Sequence, residues 1–167
     1  MRLLLIGLLA FSSTIIRADT ITVPVPGENW SVMFSVPELI HFDKPKPGDQ
    51  LVAGRGSRVN VTLSVGPASC EDGATSDQYT CMRKKIEAVP GVALESIKVE
   101  RRSKNVQISY VRFVKLGELM IQMMHTNVLF QKEGKWVNLH ASTRLPKAND
   151  VIAGLLTLGE SAEVSER

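Results

Sequence analysis

Cysteine and histidine are the residue types best suited to chemistry in this chain, and both are scarce: two cysteines and three histidines in 167 residues. Cys70 and Cys81 bracket the stretch SCEDGATSDQYTC with ten residues between them. Structural zinc takes four ligands, commonly with cysteines paired as C-x₂₋₄-C. A thioredoxin-type redox pair has two intervening residues. Neither spacing is present, and the nearby sequence offers no histidine. A disulfide fits better. It closes a loop of about 12 residues, worth roughly 3 kcal/mol in the chain-entropy model before any native strain. The alternative is two separate thiols, because pairing depends on geometry.

The histidines are dispersed. His41 lies in ELIHFD beside a proline-bearing loop, and His125 sits mid-strand among methionines. His140 falls on the last long strand, where alternation puts it on the face of Trp136, Asn138 and Ser142. A general base needs an orienting acid and a nucleophile within reach. Spacing links none of the three to such a set, so structural or solvated roles are expected. His140 with Asn138 is the first pair to inspect for catalysis. Neither a G-x-S-x-G elbow nor an S-x-x-K pattern occurs. GRGSR (residues 54–58) lacks the spacing of a phosphate loop. CEDGATSD lacks the alternating ligands and closing Glu of a calcium loop. No catalytic residue, cofactor or metal ligand is therefore expected.

Two basic clusters remain: RRSK (101–104), and Arg83, Lys84 and Lys85. They read either as a solvated hairpin tip and helix face or as a shared patch that meets an acidic partner or anionic membrane surface. Arg101, Arg102 and Lys104 are the candidate partner-binding residues. MIQMMH (120–125) holds three of the six methionines. Methionine surfaces can serve binding, but a place in the sheet core is the expectation.

The chain opens MRLLLIGLLAFSSTIIRADT, with Arg2 ahead of an apolar run from Leu3 to Phe11. About nine apolar residues suit a signal-peptide core, whereas a membrane span needs roughly 20. Residues 1–18 are expected to be a signal peptide cleaved after Ala18, or nearer Ser13, leaving no stable membrane anchor. An uncleaved anchor is the alternative. Removing 1–18 takes away Arg2 and Arg17 and no acid, so 18 cations face 17 acids and the net charge is +1. A nucleic-acid partner calls for a cationic excess or stripe that is not here. Asn29-Trp30-Ser31 and Asn60-Val61-Thr62 match the glycosylation sequon, which matters only in a eukaryotic host.

Hydropathy patterning along the chain reads mostly as β. WSVMFSV puts Trp30, Val32, Phe34 and Val36 on one face, and RVNVTLSV alternates Val59, Val61, Leu63 and Val65 with Asn60, Thr62 and Ser64. LESIKVERRSKNVQISYVRF reads as a hairpin turning near Arg102 to Asn105. ELMIQMMHTNVLF and WVNLHAST flank QKEGK, whose Gly134 suits a tight turn. DQYTCMRKKIEAV and NDVIAGLLTLG carry helical spacing. DKPKPGDQ (43–50) is a loop, and ESAEVSER is expected to fray. The expected fold is α+β: an antiparallel sheet with one inserted helix and a C-terminal helix packed against it. Residues 19–160 form one domain and 161–167 a polar tail.

The order of elements resembles the PsbP/Mog-like superfamily of small α+β proteins. The residues carrying the likeness are ENWSVMFSVPEL, NVTLSVGP, CMRKK, and GKWVNLHAST leading into DVIAGLLTL, over roughly residues 22 to 158. As a group, these proteins are binding or accessory modules without a shared catalytic centre, so no family site residue carries over. The resemblance implies partner binding rather than catalysis; with the signal peptide, the expectation is a non-catalytic, exported protein, periplasmic or extracellular, that binds a protein partner in the cell envelope as an accessory or immunity-like inhibitory factor. The alternative is a small hydrolase, or a lipid or small-ligand carrier, with a pocket between sheet and helix.

Overall fold

The alternating segments form two antiparallel sheets. A computed structural model of the chain describes residues 20–25, 27–37, 39–44, 46, 51–56, 58–70, 77–146 and 149–166. The expected signal segment 1–18, most of the 43–50 loop and the acidic stretch 71–76 lie outside them. In chain order the elements are β1 (Thr20–Pro24), β2 (Trp30–Ser35), β3 (Leu39–Phe42), β4 (Leu51–Gly56), β5 (Asn60–Pro67) and α1 (Gln78–Ala88). A single 3-10 turn (Leu94–Ser96) precedes β6 (Lys98–Arg101), β7 (Val106–Leu116), β8 (Leu119–Lys132) and β9 (Lys135–Leu145). The chain continues through α2 (Asn149–Leu156), α3 (Leu158–Ser161) and β10 (Glu163–Glu166).

The larger sheet has the order β3-β4-β5-β9-β8-β7-β6, and the smaller one β1-β2-β10. The main core lies where the two sheets and α2 and α3 meet. Trp30, Val32 and Phe34 of β2, Val61 and Leu63 of β5, Val137 and Leu139 of β9, and Leu155 and Leu158 are buried there. Each such side chain recovers about 1.5–3 kcal/mol on leaving water. The opposite face of the large sheet carries a second, smaller core, in which Ile86 of α1 meets Ile108, Tyr110 and Leu129.

Turn chemistry fixes the register of the long strands. Glu133 (φ 51°) and Gly134 (φ 71°) both take the left-handed conformation that a two-residue hairpin turn of this twist requires. That turn pairs Lys132 with Lys135 and carries the β8–β9 ladder back to Gln122 opposite Leu145.

Two expectations change at the C-terminus. The helix expected over NDVIAGLLTLG breaks at Thr157 into α2 and α3, and Gly159 is a point of close approach rather than a stop. The Gly159 amide donates to Gln107 Oε1 at 2.7 Å, while Gln107 Nε2 donates to the Leu156 carbonyl at 2.6 Å. Asn105 Nδ2 donates to the Gly159 and Ala162 carbonyls. These buried amides hold the segment against β7. The tail expected to fray instead forms β10, pairing Glu163 through Glu166 with Met33 through Trp30 of β2. Backbone hydrogen bonds to β2 hold the strand, together with Val164 packed against the main core.

Candidate functional site

With Val61, Leu63, Val137 and Leu139 turned into the main core, strand alternation sends Thr62, Ser64, Asn138 and His140 to the opposite face. The register sets Tyr110 opposite His125, Asn127 opposite His140, and His140 opposite Thr62. His125 and His140 are thus diagonal neighbours across the β8–β9 ladder. Their rings lie within 17° of parallel with centroids 5.3 Å apart, and the Tyr110 ring lies parallel to that of His125 at 5.0 Å. His125 Nδ1 lies 3.0 Å from His140 Nε2, and Thr62 Oγ1 lies 3.5 Å from His140 Nδ1.

These contacts form a chain from Thr62 through His140 to His125, whose Nε2 is buried with no partner among the described residues. Burial pushes both imidazoles down to about 4; for His125 the facing His140 and the Arg112 charge act in the same direction. Burial raises the Tyr110 phenol above its ordinary value, against the Asn127 amide and Arg112. At neutral pH the rings are uncharged and share one proton-bearing contact. Such a pair can pass a proton along the row. The hydrogen bonds of the two rings run to each other and to Thr62, not to a carboxylate that would orient a base. His41 is remote in the register, on β3, and bonds Asp43 at 3.0 Å in an exposed position. Among the described residues, no group of three or more His, Cys, Asp or Glu could hold a metal ion.

Beside the ring row lies a cleft. Asp77 caps α1 by accepting from the Thr80 amide (3.0 Å) and hydroxyl (2.8 Å). Cys70 and Cys81 are joined as a disulfide with Cα atoms 5.7 Å apart, so the staple ties the end of β5 to the first turn of α1. Gln78 Nε2 donates to the Val137 carbonyl at 2.8 Å and anchors the same turn to β9. Farther on, Ile86 carries α1 over β7 and β8. The β5–β9 half of the face stays open as a cleft of about 760 Å³, floored by Ser64, Trp136 and Asn138 and walled by Met82 and the disulfide.

The two basic clusters do meet. The Arg101 guanidinium lies 4.3 Å above the Tyr79 ring of α1, and Arg83 donates to the Tyr79 hydroxyl. Arg102, Lys104 and Arg83 are answered by acids of the chain. Arg102 pairs with Glu100 and Glu160, Lys104 with Glu163 at 3.1 Å, and Arg83 with Glu87 at 2.7 Å.

A different surface is the apolar one. The β8–β9 ladder begins at Gln122, and the Gly91–Val92 segment meets β7 no farther than Phe113. Beyond those rungs β7 and β8 run on as a two-stranded ribbon, closed at Gly117 (φ 60°). Leu116, Leu119 and Met120 are each 64% exposed there, with Phe113 at their base. The methionine expectation therefore holds only in part. Met124 is buried, but Met120 lies past the end of β9 and has no core to enter. Periodicity marks such residues as strand and cannot say how far the neighbouring strand reaches.

Comparison with solved structures places this architecture. The solution structure of cyanobacterial PsbP (CyanoP) from Synechocystis sp. PCC 6803 matches 95% of this chain and 100% of its own, with TM-score 0.54 and 14% identity. The chain has a PsbP-like fold. Weaker likenesses include the Ran-binding protein Mog1p of Saccharomyces cerevisiae (TM-score 0.49, 10% identity, 77% of this chain and 79% of that one). Another is a protein of Bacteroides thetaiotaomicron VPI-5482 (TM-score 0.47, 9% identity, 87% of this chain), of whose length the chain spans 48%. No protein-family model matches the sequence, and no curated protein is significantly similar to it. A PsbP-like fold agrees with the sequence resemblance and carries no site residue with it.

Proposed function

We propose that the protein is an exported, non-catalytic binding module of the cell envelope that docks a protein partner through the free end of the β7–β8 ribbon. The observation carrying this reading is that Leu116 and Leu119 on one face of the ribbon and Met120 on the other are each 64% exposed, where no other described strand covers them. Burying such side chains recovers about 1.5–3 kcal/mol each, the size of an interface hot spot. Residues 113–121 hold one lysine and one glutamate, Lys115 and Glu118, and so have no net charge to attract anionic headgroups. An apolar knob with balanced charge fits a protein pocket better than a lipid surface. The disulfide supports export, since such bonds persist outside reducing compartments. Among the described residues no helix is long and apolar enough to cross a membrane. Ion pairing at Arg102 and Lys104 makes the basic turn the weaker docking candidate.

The test is retention of envelope proteins by three baits: the mature chain, Leu116→Asp/Leu119→Asp, and Arg101→Glu/Arg102→Glu/Lys104→Glu. A stoichiometric partner held by the first and third baits but lost from the second supports the reading. Loss only from the third moves the docking surface to the basic turn.

A further inference from the structure

The cleft beside α1 lies at the other end of β8 from the apolar ribbon. Gln131, opposite Trp136, is twelve residues from Leu119, about 40 Å along an extended strand. The cleft and the ribbon tip are therefore separate surfaces. The volume of about 760 Å³ falls within the roughly 300–1,000 Å³ usual for small-molecule sites.

Its lining has a definite chemistry. The Trp136 indole offers a flat aromatic surface, with the Met82 thioether and the disulfide sulfurs on the wall; sulfur beside an aromatic ring is favourable. Ser64 and Asn138 line the floor, and the Asn138 Oδ1 atom is itself buried, without a hydrogen-bond partner among the described residues. Lys84 and Lys85 stand at the α1 rim, and Lys84 makes no ion pair among the described residues. No described lining residue is an acid. Among the described residues the site thus combines an aromatic floor with Lys84 at its rim.

We propose that this cleft binds a small aromatic anion, its ring laid on Trp136 and its acidic group turned toward Lys84. The cleft persists because the Cys70–Cys81 bond and the Gln78–Val137 hydrogen bond hold the first turn of α1 in place, while Ile86 holds the far end over β7 and β8. The helix cannot slide across the open half of the face without breaking one of these ties. The proposal does not depend on partner docking at the ribbon, and different variants test the two.

The test uses 8-anilinonaphthalene-1-sulfonate as an aromatic anion and N-phenyl-1-naphthylamine as its neutral counterpart. Binding is read by probe fluorescence and by energy transfer from tryptophan. Trp30 is fully buried in the main core, which leaves Trp136 as the tryptophan in the cleft. The expected result is one sulfonate probe per chain, with Lys84→Glu weakening it about tenfold, the scale of one charge-assisted contact. The neutral probe is expected to bind weakly and to ignore Lys84→Glu, and Leu116→Asp/Leu119→Asp to leave sulfonate binding unchanged. Trp136→Ala is expected to abolish it; should that variant fail to fold, Lys84→Glu on the exposed helix face still decides. Equal binding by wild type and Lys84→Glu overturns the proposal. So does sulfonate binding that disappears with the ribbon substitutions.

Discussion

His125 and His140 stand diagonally across the β8–β9 ladder, Nδ1 of the first 3.0 Å from Nε2 of the second, and each ring is held uncharged by burial. The pair makes stability depend on pH in a defined direction. Each imidazole falls to about 4 in the folded chain, against an ordinary value near 6.5 unfolded. Between those values the unfolded chain binds more protons, so stability is full above about pH 6.5 and declines as pH falls toward 4. A charge on one ring also opposes a charge on the other, so the protons enter in two coupled steps.

Urea unfolding at pH 7.0 and 4.5 is therefore expected to show a loss of about 2–5 kcal/mol in the wild type at the lower pH, roughly 2 kcal/mol for each ring that titrates. His140→Gln removes part of that loss and flattens the profile. Identical pH profiles for the two proteins would show that the rings do not titrate in this window.

The staple sets the position of α1. Cys70→Ala/Cys81→Ala is expected to cost about 2–4 kcal/mol of stability. The loss follows from freeing the residues between β5 and α1 in the unfolded chain. Alkylation of the unreduced, unfolded wild type is expected to label no thiol, and quantitative labelling would contradict the bond.

Gln107 joins β7 to the C-terminal segment through two opposed hydrogen bonds, one to the Leu156 carbonyl and one from the Gly159 amide. Gln107→Leu leaves the buried Gly159 amide and the half-buried Leu156 carbonyl without these partners, at a cost of about 2–4 kcal/mol. Amide exchange in residues 157–166 is expected to accelerate more than in β8. Uniform acceleration would mean that α3 and β10 are held by other contacts.

Much of the fold was legible because the strands alternate and the turn carries its glycine. Val61 and Leu63 against Thr62 and Ser64, and Gly134 between the two long strands, suffice for the sheet faces and the last hairpin. The histidine pair was also within reach. Counting back from the Glu133–Gly134 turn sets Asn127 opposite His140, which places His125 diagonally beside it on the same face. What periodicity cannot supply is the length of the neighbours. Met120 reads like Met124, and only the end of the β9 ladder at Gln122 separates an exposed residue from a buried one. β10 was hidden for another reason. Its side chains are mostly polar, and its partner β2 lies more than a hundred residues away in the sequence.

Ribbon docking is tested most directly by photo-crosslinking in the intact envelope, with the photoreactive residue placed at Leu119 in one protein and at Arg101 in another. Docking through the ribbon predicts one discrete adduct from position 119, lost when Leu116→Asp is added, and none from position 101. An adduct from position 101 alone would contradict it and place the partner at the basic turn.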